Sequence, residues 1–139
     1  MHLAYFNCKS DFRRKAGASE QYLYFIMFVI KIEGEILEMS NVVFSNTYKL
    51  KDGVSVPDFL LAIEQLIKEY VSKQKGYVSF RLLAEGDTWA DSVTFETMDN
   101  LNTFLESSQN DRNELAEKFY SFLDFDTCKS NIYSVEISY

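Results

Sequence analysis

If the run Trp89-Ala90-Asp91-Ser92-Val93-Thr94-Phe95 is a strand, successive side chains point to opposite faces, so Asp91 shares a face with Trp89, Val93 and Phe95. A carboxylate on an apolar face is costly to bury unless it is paired or hydrogen-bonded. Burial also raises its pKa, which suits a general base that removes a phenolic or enolic proton. Asn46 is the second polar residue of this kind, sharing a face with Val42, Phe44, Tyr48 and Leu50. Its amide can donate to a substrate oxygen. Asp91 as base and Asn46 as donor form the expected catalytic pair, with Trp89, Phe95, Tyr48, Phe44 and Tyr133 as substrate-binding residues.

Each assignment has a plainer counterpart. Asn46 can be a core asparagine bonded to backbone. A hairpin register shifted by one residue would send Asp91 to the other face, beside Arg81. Trp89 can be a rim contact rather than a wall, and Tyr48 and Tyr133 can be packing residues rather than donors to a ligand.

Composition removes several other chemistries. The only histidine of the 139 residues is His2, which disfavours a histidine triad, a histidine metal cluster or a histidine haem ligand. Two cysteines, Cys8 and Cys128, give neither a disulfide framework nor metal-ligand spacing and suit a reducing cytoplasm. No metal and no cofactor is implied. The net charge of −7 argues against nucleic acid and anionic membrane as partners.

The elements that must position the candidate residues follow one another clearly after Met39. Residues 42–50 alternate as a strand, and Lys51-Asp52-Gly53 is a turn. Ser55 then caps a helix that has Pro57 and Asp58 in its first turn and a stripe of Phe59, Ile63, Leu66, Ile67, Tyr70 and Val71. Gly76 is its left-handed stop. Residues 77–85 and 89–97 form a hairpin around Gly86-Asp87, which pairs Ala84 with Trp89, Leu82 with Asp91, Phe80 with Val93 and Val78 with Phe95. Asp99 caps a second helix, a polar break at 107–112 precedes a further turn or two, and residues 127–139 form the last strand.

This order predicts an α+β fold, a ferredoxin-like βαββαβ sandwich with an antiparallel four-stranded sheet and helices on one face. The other face would show Tyr77, Ser79, Arg81, Leu83, Ser92, Thr94, Val43 and Thr47, too apolar for open water and too polar for a dry core. Such a surface is commonly an interface, and a homodimer joined sheet to sheet is the simplest closure.

Residues 1–38 have a different character and balance acid against base, so the net negative charge lies in the 39–139 domain. They imitate a secretion signal with too short an apolar run, or add a strand over 22–32, or lie upstream of a start at Met39. The last reading is preferred, because Glu33-Gly34-Glu35 can be encoded as a purine-rich ribosome-binding sequence.

From Asn41 to Tyr139 the chain resembles the dimeric α+β barrel superfamily, in its antibiotic-biosynthesis-monooxygenase-like branch. The likeness rests on element order, on Asn46-Thr47-Tyr48-Lys49-Leu50-Lys51-Asp52-Gly53 closing the first strand, and on Phe95-Glu96-Thr97-Met98-Asp99 entering the second helix. It implies a homodimer with a pocket between helices and sheet in each subunit. It also implies activities that range from cofactor-free oxygenation of phenolic polyketides and quinols to haem degradation. The haem-degrading members use an asparagine near the end of the first strand, a tryptophan on the third and a helix histidine. Asn46 matches the first, Phe95 stands at the second, and the domain has no histidine, so haem degradation is disfavoured.

Two functional readings follow. One is a small-molecule-pocket protein, a cofactor-independent monooxygenase acting on an aromatic or quinol-like substrate in the cytoplasm. The other is a non-catalytic homodimeric module that binds a ligand or a protein, in which neighbours neutralise Asp91.

Overall fold

The computed structural model describes residues 40–111 and 113–139. The expectations for residues 1–38 and for a start at Met39 fall outside them. The described chain runs β1 (Val42–Leu50), α1 (Val56–Glu69), a 3-10 turn (Val71–Lys73), β2 (Tyr77–Glu85), β3 (Thr88–Phe95), α2 (Met98–Asn110), α3 (Glu114–Tyr120) and β4 (Leu123–Ser134). The four strands form one antiparallel sheet in the order β2-β3-β1-β4, with the helices packed on one face. This is the ferredoxin-like α+β arrangement that the element order predicts.

Local chemistry sets the helix boundaries. Ser55 has extended backbone, and its hydroxyl accepts from the Asp58 N–H at 3.4 Å, with Pro57 and Asp58 in the first turn. Helix α1 then buries Phe59, Ala62, Ile63 and Leu66. Gly76, at φ +80°, reverses the chain after the 3-10 turn. A Cβ there would lie 2.3 Å from the Asn100 side chain, so both conformation and space require glycine.

The second helix departs from expectation at both ends. Thr97, not Asp99, is its cap: Thr97 is extended and its Oγ1 accepts from the Asn100 N–H at 3.1 Å, which leaves Asp99 inside the first turn. The expected polar break at 107–112 is also shorter, because α2 continues through Asn110. Ser108 is buried there and returns its hydroxyl to the Phe104 carbonyl at 2.7 Å. Asn113 restarts the chain as α3, its Oδ1 accepting from the Leu115 and Ala116 N–H groups.

The hairpin register is as expected for Ala84–Trp89, Leu82–Asp91 and Phe80–Val93. Beyond Phe80 a bulge intervenes, and Tyr77 rather than Val78 stands opposite Phe95. Tyr77 therefore packs against the core instead of lining the bare face, while Val78 is 45% exposed.

Strand β4 begins four residues earlier than expected, at Leu123, and ends five earlier, at Ser134. Its ladder to β1 is interrupted between Thr47 and Lys49. There the Thr127 hydroxyl bridges the gap, accepting from the Lys49 N–H at 2.8 Å and donating to the Asp124 carbonyl at 2.7 Å.

The core lies between sheet and helices. Val42, Phe44, Tyr48, Val93 and Phe95 from the sheet meet Phe59, Leu66, Leu101, Phe104 and Phe119 from the helices. Two side chains on that face are polar and equally buried: Asn46 and Asp91, each 1% exposed.

Candidate active site

Three neighbouring strands bring the polar residues into one row across the sheet. Asn46 on β1 stands directly opposite Asp91 on β3 and, on its other side, directly opposite Ser130 on β4. Cross-strand partners project from the same face, so all three side chains point under the helices. Tyr48 lies two residues along β1, opposite Trp89, and joins the row from that side.

The hydrogen bonds run in one direction. Asn46 Nδ2 donates to Asp91 Oδ1 at 3.0 Å, and Tyr48 OH donates to Asp91 Oδ2 at 2.8 Å. Ser130 Oγ donates to Asn46 Oδ1 at 2.6 Å. Both carboxylate oxygens thus receive a donor. A carboxylate is a proton acceptor and a carboxamide a hydrogen-bond donor, so the two groups together carry acid–base and anion-holding chemistry.

Aromatic rings cluster at the Tyr48 end of this network. Tyr48 meets Phe59 and Phe119 edge to face, with centroids 6.3 and 5.9 Å apart. Phe59 in turn meets Trp89 at 5.0 Å and Phe122 at 6.1 Å. Such contacts give a rigid apolar flank beside which electrostatic interactions are strengthened.

The structure treats the expected substrate-binding residues unequally. Tyr48 and Trp89 adjoin the polar row, but Tyr48 bonds to Asp91 rather than forming a passive wall. Phe44 lies on the same face, opposite Val93 and Ile132. Phe95 is four residues along β3 from Asp91 and packs on Phe104 at 5.3 Å, in the core beneath α2. Tyr133 does not join the group. It pairs with Val43, so it projects from the opposite face and is 55% exposed.

Sequence reasoning missed Ser130 as a member of the network and read Phe59 only as a helix-stripe residue. Cys128 is partly buried against the core, its Sγ 3.9 Å from the Asp124 carbonyl. Among the described residues no group of three or more His, Cys, Asp or Glu is placed to hold a metal ion. No described helix is long and apolar enough to cross a membrane. Away from the site, burial raises the Tyr70 and Tyr77 phenols above their ordinary value, and Asp111 adds to the effect at Tyr70 against a lowering hydrogen bond from Ser108.

No protein-family model matches the chain, and no curated protein matches its sequence. Solved structures do match its fold. The crystal structure of SnoaB, a cofactor-independent oxygenase from Streptomyces nogalater, superposes with a TM-score of 0.55 at 14% identity, covering 71% of this chain and 96% of that one. A nipsnap family protein of unknown function from Agrobacterium tumefaciens gives 0.54 at 17% identity, covering 70% and 89%. A provisionally named antibiotic biosynthesis monooxygenase from Nitrosomonas europaea gives 0.53 at 12% identity, covering 70% and 91%. Likeness at such identities carries the fold and not the activity. Residues 40–139 have the fold of the antibiotic-biosynthesis-monooxygenase-like structures, as their element order suggests.

Proposed function

We propose that this chain is a cofactor-independent monooxygenase acting on a phenolic or quinol-like aromatic substrate. The observation that carries the reading is a buried carboxylate, Asp91, held by Asn46 and Tyr48 beside an aromatic cluster. Asp91 takes the proton of the substrate hydroxyl, and the second N–H of Asn46 holds the oxygen that is left negative. The electron-rich anion then reduces dioxygen. One oxygen atom enters the ring, turning an unsubstituted C–H ortho or para to a hydroxyl into a carbonyl. The other leaves as water with the two displaced hydrogens. Substrate and dioxygen supply all the electrons, so the protein contributes the base, the donor and the aromatic walls Trp89, Tyr48 and Phe44.

The same reading includes a homodimer joined through the bare sheet face, in the cytoplasm. That face carries Leu83 at 60% and Tyr133 at 55% exposure among the smaller residues Val43, Thr47, Ser79 and Thr94. Oxygen uptake with a panel of phenols and quinols tests the activity. The proposal predicts turnover by the wild type that falls in N46A, and equal rates for the two proteins would overturn it.

One observation favours a second reading, a non-catalytic homodimeric module. Asn46, Tyr48 and Asp91 are each 1% exposed and bonded to one another, as in a core network that fixes strand register. A protein that binds aromatic ligands at the site but consumes no oxygen with any of them would favour it.

A further inference from the structure

We propose that Ser130 is a positioning residue: by donating to Asn46 Oδ1 it fixes which end of the Asn46 amide faces Asp91. The inference deepens the oxygenase reading and rests on it for its functional consequence, but the geometry stands without it. The side of Asn46 facing Asp91 is Nδ2, which donates to Oδ1 at 3.0 Å. The amide oxygen then faces β4, where it needs a donor. Ser130, directly opposite on that strand, supplies one at 2.6 Å.

The arrangement gives Ser130 leverage beyond one bond. An asparagine amide has two nearly isosteric orientations, and rotating it by half a turn would set its oxygen against an Asp91 oxygen. The Ser130 hydroxyl is the group on the far side that favours one orientation. Without its hydrogen, Asn46 loses the contact that holds Nδ2 toward Asp91. The amide is then held by its bond to Asp91 alone, and that bond loosens. Tyr48 still donates to Oδ2, so the carboxylate is misoriented rather than abandoned. In the proposed reaction the effect falls on the proton transfer that Asp91 performs and not on the aromatic contacts that hold the ring.

The test is the side-chain amide spectrum of Asn46 in the full-length protein, recorded by 15N-edited NMR without any substrate. In wild type one amide proton is displaced downfield by its bond to the carboxylate. In Ser130→Ala that proton shifts upfield and the signal broadens or averages, and in Ser130→Thr, which keeps a hydroxyl, the wild-type position returns. An unmoved signal in folded Ser130→Ala, or a Ser130→Thr signal that stays with Ser130→Ala, overturns the assignment. Steady-state kinetics adds the functional arm: Ser130→Ala lowers kcat by about tenfold, a fraction of the 10²–10⁴ that a positioned base contributes, and leaves KM unchanged. Failure to find oxygen uptake with any phenol or quinol would sink the oxygenase reading and leave the spectral test of Ser130 intact.

Discussion

Asn46 and Asp91 stand directly opposite each other on adjacent antiparallel strands, and the amide of one donates to the carboxylate of the other at 3.0 Å across the buried face of the sheet. Tyr48 OH completes the arrangement from the next position on that face, 2.8 Å from the second carboxylate oxygen. A carboxylate taken out of water in this way depends on its donors, because a lost donor leaves part of the desolvation cost unmatched. Tyr48→Phe is therefore expected to destabilise the fold by about 1–3 kcal/mol, although it removes a single oxygen. Urea unfolding checks this: the midpoint falls while the slope stays constant. An unchanged midpoint would mean that the phenol bond contributes nothing to the carboxylate.

Trp89, the single tryptophan of the chain, reports on the site. It stands opposite Tyr48 and lies 5.0 Å from the Phe59 ring. A quinol or phenol bound beside Asp91 is expected to change its emission saturably, with the same midpoint in calorimetry. Binding seen by calorimetry with no change in emission would put the ligand elsewhere on the molecule.

The bare sheet face predicts the assembly. Leu83 is opposite Ala90 on that face and 60% exposed. A charge there would be buried without a partner if two copies join sheet to sheet. Light scattering should find a dimer for the wild type and a monomer for Leu83→Glu, with unchanged circular dichroism. The same mass for both proteins would exclude this face as the contact.

The raised Tyr70 and Tyr77 phenols predict behaviour in alkali. Burial is the first cause at both, and at Tyr70 the neighbouring Asp111 adds to it. The unfolded chain gives up these protons near the ordinary value of 10.0, whereas the folded chain holds them to higher pH. Their contribution to stability is therefore complete below that value and is lost as pH rises through the folded one. Urea midpoints between about pH 9 and 11 should fall, and less steeply in Tyr70→Phe. Equal slopes would remove Tyr70 from the account.

Much of the site was legible along the chain, because it depends on local pattern. The alternation in β1 and β3 placed Asn46 and Asp91 on buried faces, and the Gly86-Asp87 turn set the register that keeps Asp91 there. What escaped depends on β4, whose pairing with β1 shifts at Thr47–Lys49 through a bridge made by the Thr127 hydroxyl. No periodicity announces such a break, so Ser130 could not be matched to Asn46. Tyr133 was assigned to the site as an aromatic residue of the last strand. Lys129 and Asn131 share its alternation and are both exposed, which is the signal that it faces away. Val78 and Tyr77 exchanged roles for a similar reason, a bulge next to the turn at Gly76.

The oxygenase reading stands on one step, the transfer of a proton from a bound phenol or quinol to Asp91. The direct measurement is the absorption spectrum of such a substrate mixed with the protein at neutral pH under anaerobic conditions, where the ionised ring absorbs at longer wavelength and dioxygen cannot consume it. A band of bound phenolate is expected with the wild type, and its loss in Asp91→Asn at equal substrate occupancy. The same band with both proteins, or no band with either under saturating substrate, would contradict it.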